Sequence, residues 1–171
     1  MKEDLKDQLS KLDIVNNNNV PVTGKKNRRF QLVQEENIER GSVIYLPLSG
    51  SDGLVLANGY RTRNKFVVII GVMDEEYIVG ALLINSSSGK FTNEKLRNCQ
   101  YPMRKESYAS FLDYTSWLDC SMLFQIPKHK ILLGEYCGKL TSEDLMLVME
   151  CLRRTDTISI NVKKAFRISD I

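Results

Sequence analysis

A chain of 171 residues is long enough for one domain with a buried core, or for a domain plus an extension. Its 43% apolar and 26% charged content is that of an ordinary soluble globule, and a formal net charge of +3 permits an anionic partner without requiring one. Four cysteines with no Cys-x-x-Cys spacing and a single histidine argue against a zinc site, and no run approaches the roughly 18 apolar residues of a membrane span. The charged N-terminus has no apolar leader, so the expectation is a cytoplasmic chain with free thiols, no cofactor and no membrane partner.

In chain order, Leu5, Leu9 and Leu12 make one face of a short amphipathic helix over 2–15. "NNNNVPVTGKKNRR" follows as a polar linker whose Lys25, Lys26, Arg28 and Arg29 read as a nucleic-acid contact or as a solvated tether. Residues 1–38 are thus expected to be a helical, basic arm and 39–171 the domain. "SVIYLPL" is rich in β-formers and predicts a strand. "GSDGLVLANGY" is a long connection with an Asn-Gly turn signal. "KFVVII" is a continuous apolar run, the pattern of a strand buried on both faces. "EYIVGALLIN" is the next strand, with "MDEE" as the turn between them.

After the polar loop "SSSGKFTNEKLRN", "CQYPM" predicts a short edge strand, since Pro102 removes a ladder donor. "SYASFLDY" is ambiguous. "SWLDCSMLFQI" predicts one strand stopped by Pro127, "PKHK" an exposed turn, and "KILLGEYCGKL" a further strand. "TSEDLMLVMECLRR" is the clearest helix. Thr141 and Asp144 resemble a capping box, and Leu145, Val148, Met149 and Leu152 form the apolar stripe. The alternation of Ile158, Ile160 and Val162 predicts a last edge strand. Many short strands closed by one late helix suggest a small, partly open barrel: a mainly β fold with a C-terminal helix and an N-terminal helical arm.

Residues 61–88 carry the chemistry. Arg61, Arg63 and Lys65 stand at the entrance of the first apolar run; Asn85, Ser86 and Ser87 close the second, with Lys90 just beyond. If the hairpin forms, its open end brings positions 65 and 85 together. Taken separately, the cations are also what guards an aggregation-prone strand, and the serines are also an ordinary loop start. Tyr108, Tyr114 and Trp117 could stack on unpaired bases or fill the core. Cys120 reads as a small buried apolar residue, and His129 as a lone surface histidine.

The order "RGSVIYLPL", glycine-bearing loop, "RNKFVVII", "GALLINS", "SWLDCSMLFQIPKHKIL", "GKLTSEDLMLVMECL" resembles the MazF/PemK-type toxin family from about Arg40 to Arg154. The resemblance implies an SH3-like barrel, a homodimer, and a metal-independent endoribonuclease that cuts single-stranded RNA and is restrained by a small antitoxin. It implies a site at the start of the "VVII" strand and the end of the "ALLIN" strand. The family's arginine falls on Lys65, with Phe66 replacing its proline, or on Arg63 if the loop is shifted by two. The family's threonine falls on Asn85, with Ser86 adjacent. Arg63 and Lys65 would then stabilise the phosphorane, and Asn85 and Ser86 would hold a phosphate oxygen or the 2′-hydroxyl. Asp119 would be the candidate general base. Arg61, Ser87, Lys90 and Tyr114 would bind the RNA. Whether Arg63 or Lys65 faces the site is open, because one register step reverses every side chain. The competing expectation is a barrel that kept its basic rim but binds RNA, or a protein partner through the Leu5/Leu9/Leu12 face, without cutting.

Overall fold

The two apolar runs are the centre of the fold. In the computed structural model, which describes residues 30–57, 59–73, 75–87 and 93–169, they form long antiparallel strands. In chain order the elements are β1 (Gln31–Leu32), β2 (Ser42–Ser49), β3 (Thr62–Met73), β4 (Ile78–Asn85), α1 (Glu94–Arg97), β5 (Gln100–Met103), β6 (Ser116–Asp119), β7 (Phe124–Pro127), α2 (Lys128–Ile131), β8 (Glu135–Lys139), α3 (Ser142–Arg154) and α4 (Ile160–Ala165). The eight strands make one antiparallel sheet in the order β1-β8-β2-β3-β4-β6-β5, with β7 beside the first half of β4. The path ends at β1 and β5, so the sheet is open.

Both faces of the central strands are covered, which is why they read as unbroken apolar runs. Val67 and Ile69 of β3 join Ile44, Leu46, Ala81, Leu83 and Ile126 on one side. Val68 and Ile70 point the other way, into a larger core with Leu82, Ile84, Leu118 and the stripe Val148, Met149 and Leu152 of α3. Val67 through Ile70 have no accessible surface. The short strand at "CQYPM" lies at the sheet's end, as its proline predicts.

The start of α3 departs from a simple capping box. Thr141 Oγ1 accepts from the Asp144 amide at 3.1 Å, as a cap should. Asp is one methylene shorter than Glu, and its carboxylate takes the Tyr101 hydroxyl at 2.5 Å and the Tyr108 hydroxyl as well. The Tyr108 oxygen in turn accepts from the Thr141 amide at 3.3 Å. A phenol from another segment therefore closes the box and fixes the helix to the sheet.

The tail is a helix rather than the expected edge strand. Ser159 caps it by accepting from the Val162 amide at 3.4 Å. Ile158, Val162 and Phe166, at helical spacing, turn inward to the larger core. Lys163 is buried and donates from Nζ to the carbonyls of Arg153, at 2.8 Å, and Thr155, satisfying the end of α3. Phe166 lies over Gly71 and Gly80, which face each other across β3 and β4. A Cβ at Gly71 would stand 2.6 Å from the Phe166 carbonyl oxygen, and one at Gly80 2.7 Å from its ring. Arg40 clamps the segment, donating to the carbonyls of Ile70, Phe166 and Arg167 at 2.6, 3.1 and 3.0 Å.

Three further expectations shift. "SWLDCSMLFQI" is two strands, because Asp119 Oδ1 accepts from the Ser121 amide and hydroxyl, at 3.0 and 2.6 Å, and turns the chain between β6 and β7. "PKHK" opens the short helix α2, with Lys128 paired to Glu35 at 2.7 Å and Lys130 to Asp52. Gln31 and Leu32, given to the arm by the sequence reading, pair with Tyr136 and Glu135 of β8, so the sheet reaches into the arm's last residues. The expected helix over 2–15 and the basic cluster at 25–29 lie outside the described residues.

Candidate functional site

A cleft begins where β3 and β4 part. Their last paired residues are Val67 and Leu83. Beyond them β3 stays with β2, pairing Phe66 with Tyr45 and Lys65 with Leu46. β4 turns instead to β6, pairing Ile84 with Leu118 and Asn85 with Trp117. Two strands that leave each other while keeping their outer partners open a wedge between them. The wedge holds a cavity of about 200 Å³. That is smaller than the roughly 300–1,000 Å³ of a pocket that encloses a whole small ligand. It suits one group of an extended ligand that continues across the surface.

The side chains of Lys65 and Asn85 bridge the wedge. Lys65 Nζ donates to Asn85 Oδ1 at 2.9 Å. An ammonium has only hydrogens to offer, so the amide oxygen faces it and the amide NH2 is turned away. Arg63 stands two residues before Lys65, on the same side of the strand, and Ser86 follows Asn85; both are exposed and both line the cavity. The floor is aromatic. Phe66 lies 4.7 Å from Tyr45 and 5.7 Å from Phe111 between ring centroids, and Phe111 lies 5.5 Å from Tyr108, the phenol that closes the cap of α3. Such a floor holds the rim in place and raises the weight of each charge beside it.

Of the residues singled out from the sequence, Arg63, Lys65, Asn85, Ser86 and Tyr114 line this one cavity. The choice between Arg63 and Lys65 dissolves, since both reach it. Arg61 and Ser87 are exposed but are not on the lining. Lys90 lies outside the described residues. Asp119 is not on the lining either. It is buried, accepts from Gln100 Nε2 at 2.9 Å as well as from Ser121, and serves the β6–β7 turn. Trp117 is half-buried and off the lining, and His129 is exposed on α2.

Asp113 is the residue that sequence reasoning missed. It lines the cavity beside Tyr114 and, among the described residues, is the only carboxylate on the lining. It comes from "SYASFLDY", which is ambiguous in the sequence, and it reaches the hairpin mouth only through the fold. Ser116, also on the lining, donates its hydroxyl to the Tyr114 carbonyl at 3.2 Å and ties this segment to the start of β6.

The arrangement gathers two cations, an amide NH2 and hydroxyl donors around a small space, with one carboxylate and exposed aromatic surface at its edge. Cations and neutral donors gathered in this way can take the oxygens of an anionic group. Among the described residues no group of three or more His, Cys, Asp and Glu side chains is placed to hold a metal ion. No described helix is long and apolar enough to cross a membrane. No family model and no curated protein sequence matches the chain.

Proposed function

We propose that the cleft is the active site of a metal-independent endoribonuclease that cuts single-stranded RNA. We place the chain with the MazF/PemK-type toxins, as an open SH3-like barrel that works in the cytoplasm as a homodimer under a small antitoxin. The order of the sequence motifs supports the family. The observation that carries the chemistry is the contact of Lys65 with Asn85 in a cavity that Arg63, Ser86, Asp113 and Tyr114 also line.

RNA brings its own nucleophile. The 2′-hydroxyl attacks the adjacent phosphorus, the bond to the 5′-oxygen breaks, and a 2′,3′-cyclic phosphate and a 5′-hydroxyl result. Arg63 grips two non-bridging oxygens with its planar fork, while Lys65 acts as a point charge on the phosphorane. The Asn85 NH2 and the Ser86 hydroxyl hold the group in line. Asp113 takes the proton of the 2′-hydroxyl, the role the sequence reading gave to Asp119. Tyr114, 57% exposed, offers a face to an unpaired base.

The test is incubation of the purified chain with a mixed RNA pool in EDTA. Cleavage is expected, and it disappears in the Arg63→Ala/Lys65→Ala double variant. RNA left intact at high protein concentration removes the proposal. One observation favours a second reading, an RNA-binding barrel that does not cut: among the described residues the lining carries no histidine and one acid, Asp113, which sits on an exposed segment. RNA retention without cleavage, weakening steeply with added salt, is the mark of that reading.

A further inference from the structure

The cleft has two unlike faces. Side chains alternate along β3, and the cross-strand pairs with β2 show which ones go together. Arg63 lies opposite Leu48 and Lys65 opposite Leu46, on the face of the smaller core with Val67. Asn64 lies opposite Pro47 and Phe66 opposite Tyr45, on the face of the larger core with Val68. On β4 the same alternation puts Asn85 with Leu83 on the first face and Ile84 on the second. The cations and Asn85 therefore hold one face, and the rings of Phe66, Tyr45 and Phe111 the other. Phe111 and Leu112 belong to the larger core, so the segment that carries Tyr114 closes the cavity from the ring side.

Asn64 stands on that ring side. It is exposed and lines the cavity, and among the described residues no group hydrogen-bonds its side-chain amide. Asn is depleted in strands, so the sheet does not account for it. From Thr62 to Phe66, β3 pairs with β2 and no longer with β4, which leaves its edge open to the wedge beside Asn64.

The neighbouring groups are poor readers of a base. Arg63 and Lys65 suit phosphate, which is the same at every nucleotide. A tyrosine face stacks on any base. Asn85 has its oxygen engaged by Lys65 and offers only N–H. Asn64 keeps both halves of its amide, a donor and an acceptor side by side. That pair matches adenine, whose N6 amino group donates and whose N7 accepts on one edge. Guanine shows two acceptors there, O6 and N7, and pyrimidines have no N7.

We propose that Asn64 makes the cleft selective for adenine. The phosphate lies on the face of Lys65 and Asn85, and the base attached to it reaches through the wedge to the ring side. There Tyr114 holds its plane, the Asn64 oxygen accepts from N6, and the Asn64 NH2 donates to N7. The assignment rests on the reading of the cleft as an RNA site and adds to it the residue that chooses the base.

The experiment measures fluorescence anisotropy of the full-length chain with three 2′-O-methyl oligonucleotides of one length, made of adenine, 7-deazaadenine or uracil. The methyl group blocks the nucleophile, so binding is read without cleavage. 7-Deazaadenine keeps the N6 amino group and the stacking face of adenine and has C–H in place of N7. Unaltered protein should bind the adenine oligomer about 10-fold more tightly than the 7-deazaadenine one, the scale of a bidentate base contact. The uracil oligomer should bind no better than the 7-deazaadenine one, and Asn64→Ala should bind the adenine and 7-deazaadenine oligomers equally. The comparison on unaltered protein holds even if the variant folds poorly. Equal affinity of unaltered protein for adenine and 7-deazaadenine, or an adenine preference undiminished in Asn64→Ala, would overturn the assignment and leave the RNA site standing. Failure to bind any of the three would remove the RNA site and the assignment with it.

Discussion

Lys65 Nζ and Asn85 Oδ1 lie 2.9 Å apart, at the point where two strands stop pairing with each other. Backbone hydrogen bonds hold β3 and β4 together as far as Val67 and Leu83, and the side-chain bond from Lys65 to Asn85 spans the gap beyond. That bond fixes which way the amide is turned: its oxygen faces the ammonium and its NH2 points away from it. On the proposed function, an arriving phosphate meets a rim whose geometry is already fixed, which is what preorganised stabilisation requires.

Substitutions at Asn85 separate orientation from charge. Asn85→Ala removes the NH2 donor and should lower kcat for RNA cleavage by about 10²-fold, the scale of losing one such donor. Asn85→Asp keeps the size but pairs a carboxylate with Lys65 and repels the phosphate. It should weaken RNA binding at low salt more than Asn85→Ala does, as read by fluorescence anisotropy. Equal binding of the two variants would show that the amide does not face the ligand.

Counterion release gives a second handle on the same rim. Each cation that neutralises a phosphate of single-stranded RNA contributes about 0.7 to the slope of log affinity against log salt. Arg63→Ala should reduce that slope by about 0.7. Arg61→Ala, whose side chain is off the lining, should leave cleavage at saturating RNA unchanged.

Stability should depend sharply on the glycine pair under Phe166. Phe166→Ala empties a site with only 1% exposure and should cost about 3–5 kcal/mol in urea unfolding. Gly80→Ala drives a methyl into the ring, and overpacking of this kind costs about 1–3 kcal/mol. Combining Gly80→Ala with Phe166→Ala should be less damaging than the sum, because the ring that clashes is gone. Strict additivity would mean that the clash lies elsewhere.

Asp144 sets an acid limit. Desolvation pushes its carboxyl up, but the hydroxyls of Tyr101, Tyr108 and Thr141 together outweigh it and hold the group below the usual carboxylate range. A group lowered in the folded state stabilises it above the unfolded value, about 3.9 for Asp, and that contribution is lost as pH falls through the folded value. Burial and the bond to Asp144 raise both phenols, so their contribution is full below about 10 and fades as pH climbs past that. Asp144→Asn should flatten the acid limb of a urea-midpoint profile, and Tyr101→Phe the alkaline limb. Unchanged limbs would remove this cluster from the pH dependence.

Much of the fold was legible because its local signals agree. The runs around Val67–Ile70 and Val79–Ile84 hold only apolar residues and glycine, are bounded by charged or polar residues, and are long enough for strands buried on both sides. The α3 stripe and its Thr141 cap are equally local. The tail was not, because Ile158, Ile160 and Val162 satisfy the strand period while Ile158, Val162 and Phe166 satisfy the helical one. The Ser159 cap and the socket at Gly71 and Gly80 decide between them, and the socket belongs to another part of the chain. The cleft divides the same way. Arg63, Lys65, Asn85 and Ser86 follow from one hairpin. Asp113 is brought there by the ring stack through Phe111 and Phe66, which no local pattern records.

The most direct test of the proposed chemistry is the end group left on a defined single-stranded RNA. Unaltered protein in EDTA should produce fragments ending in a 2′,3′-cyclic phosphate with matching 5′-hydroxyl ends, and Lys65→Ala should produce few or none. The same RNA carrying 2′-O-methyl groups throughout should stay whole. Cleavage of the methylated RNA, or equal cleavage by Lys65→Ala, would contradict a mechanism in which the cleft between Lys65 and Asn85 activates the 2′-hydroxyl.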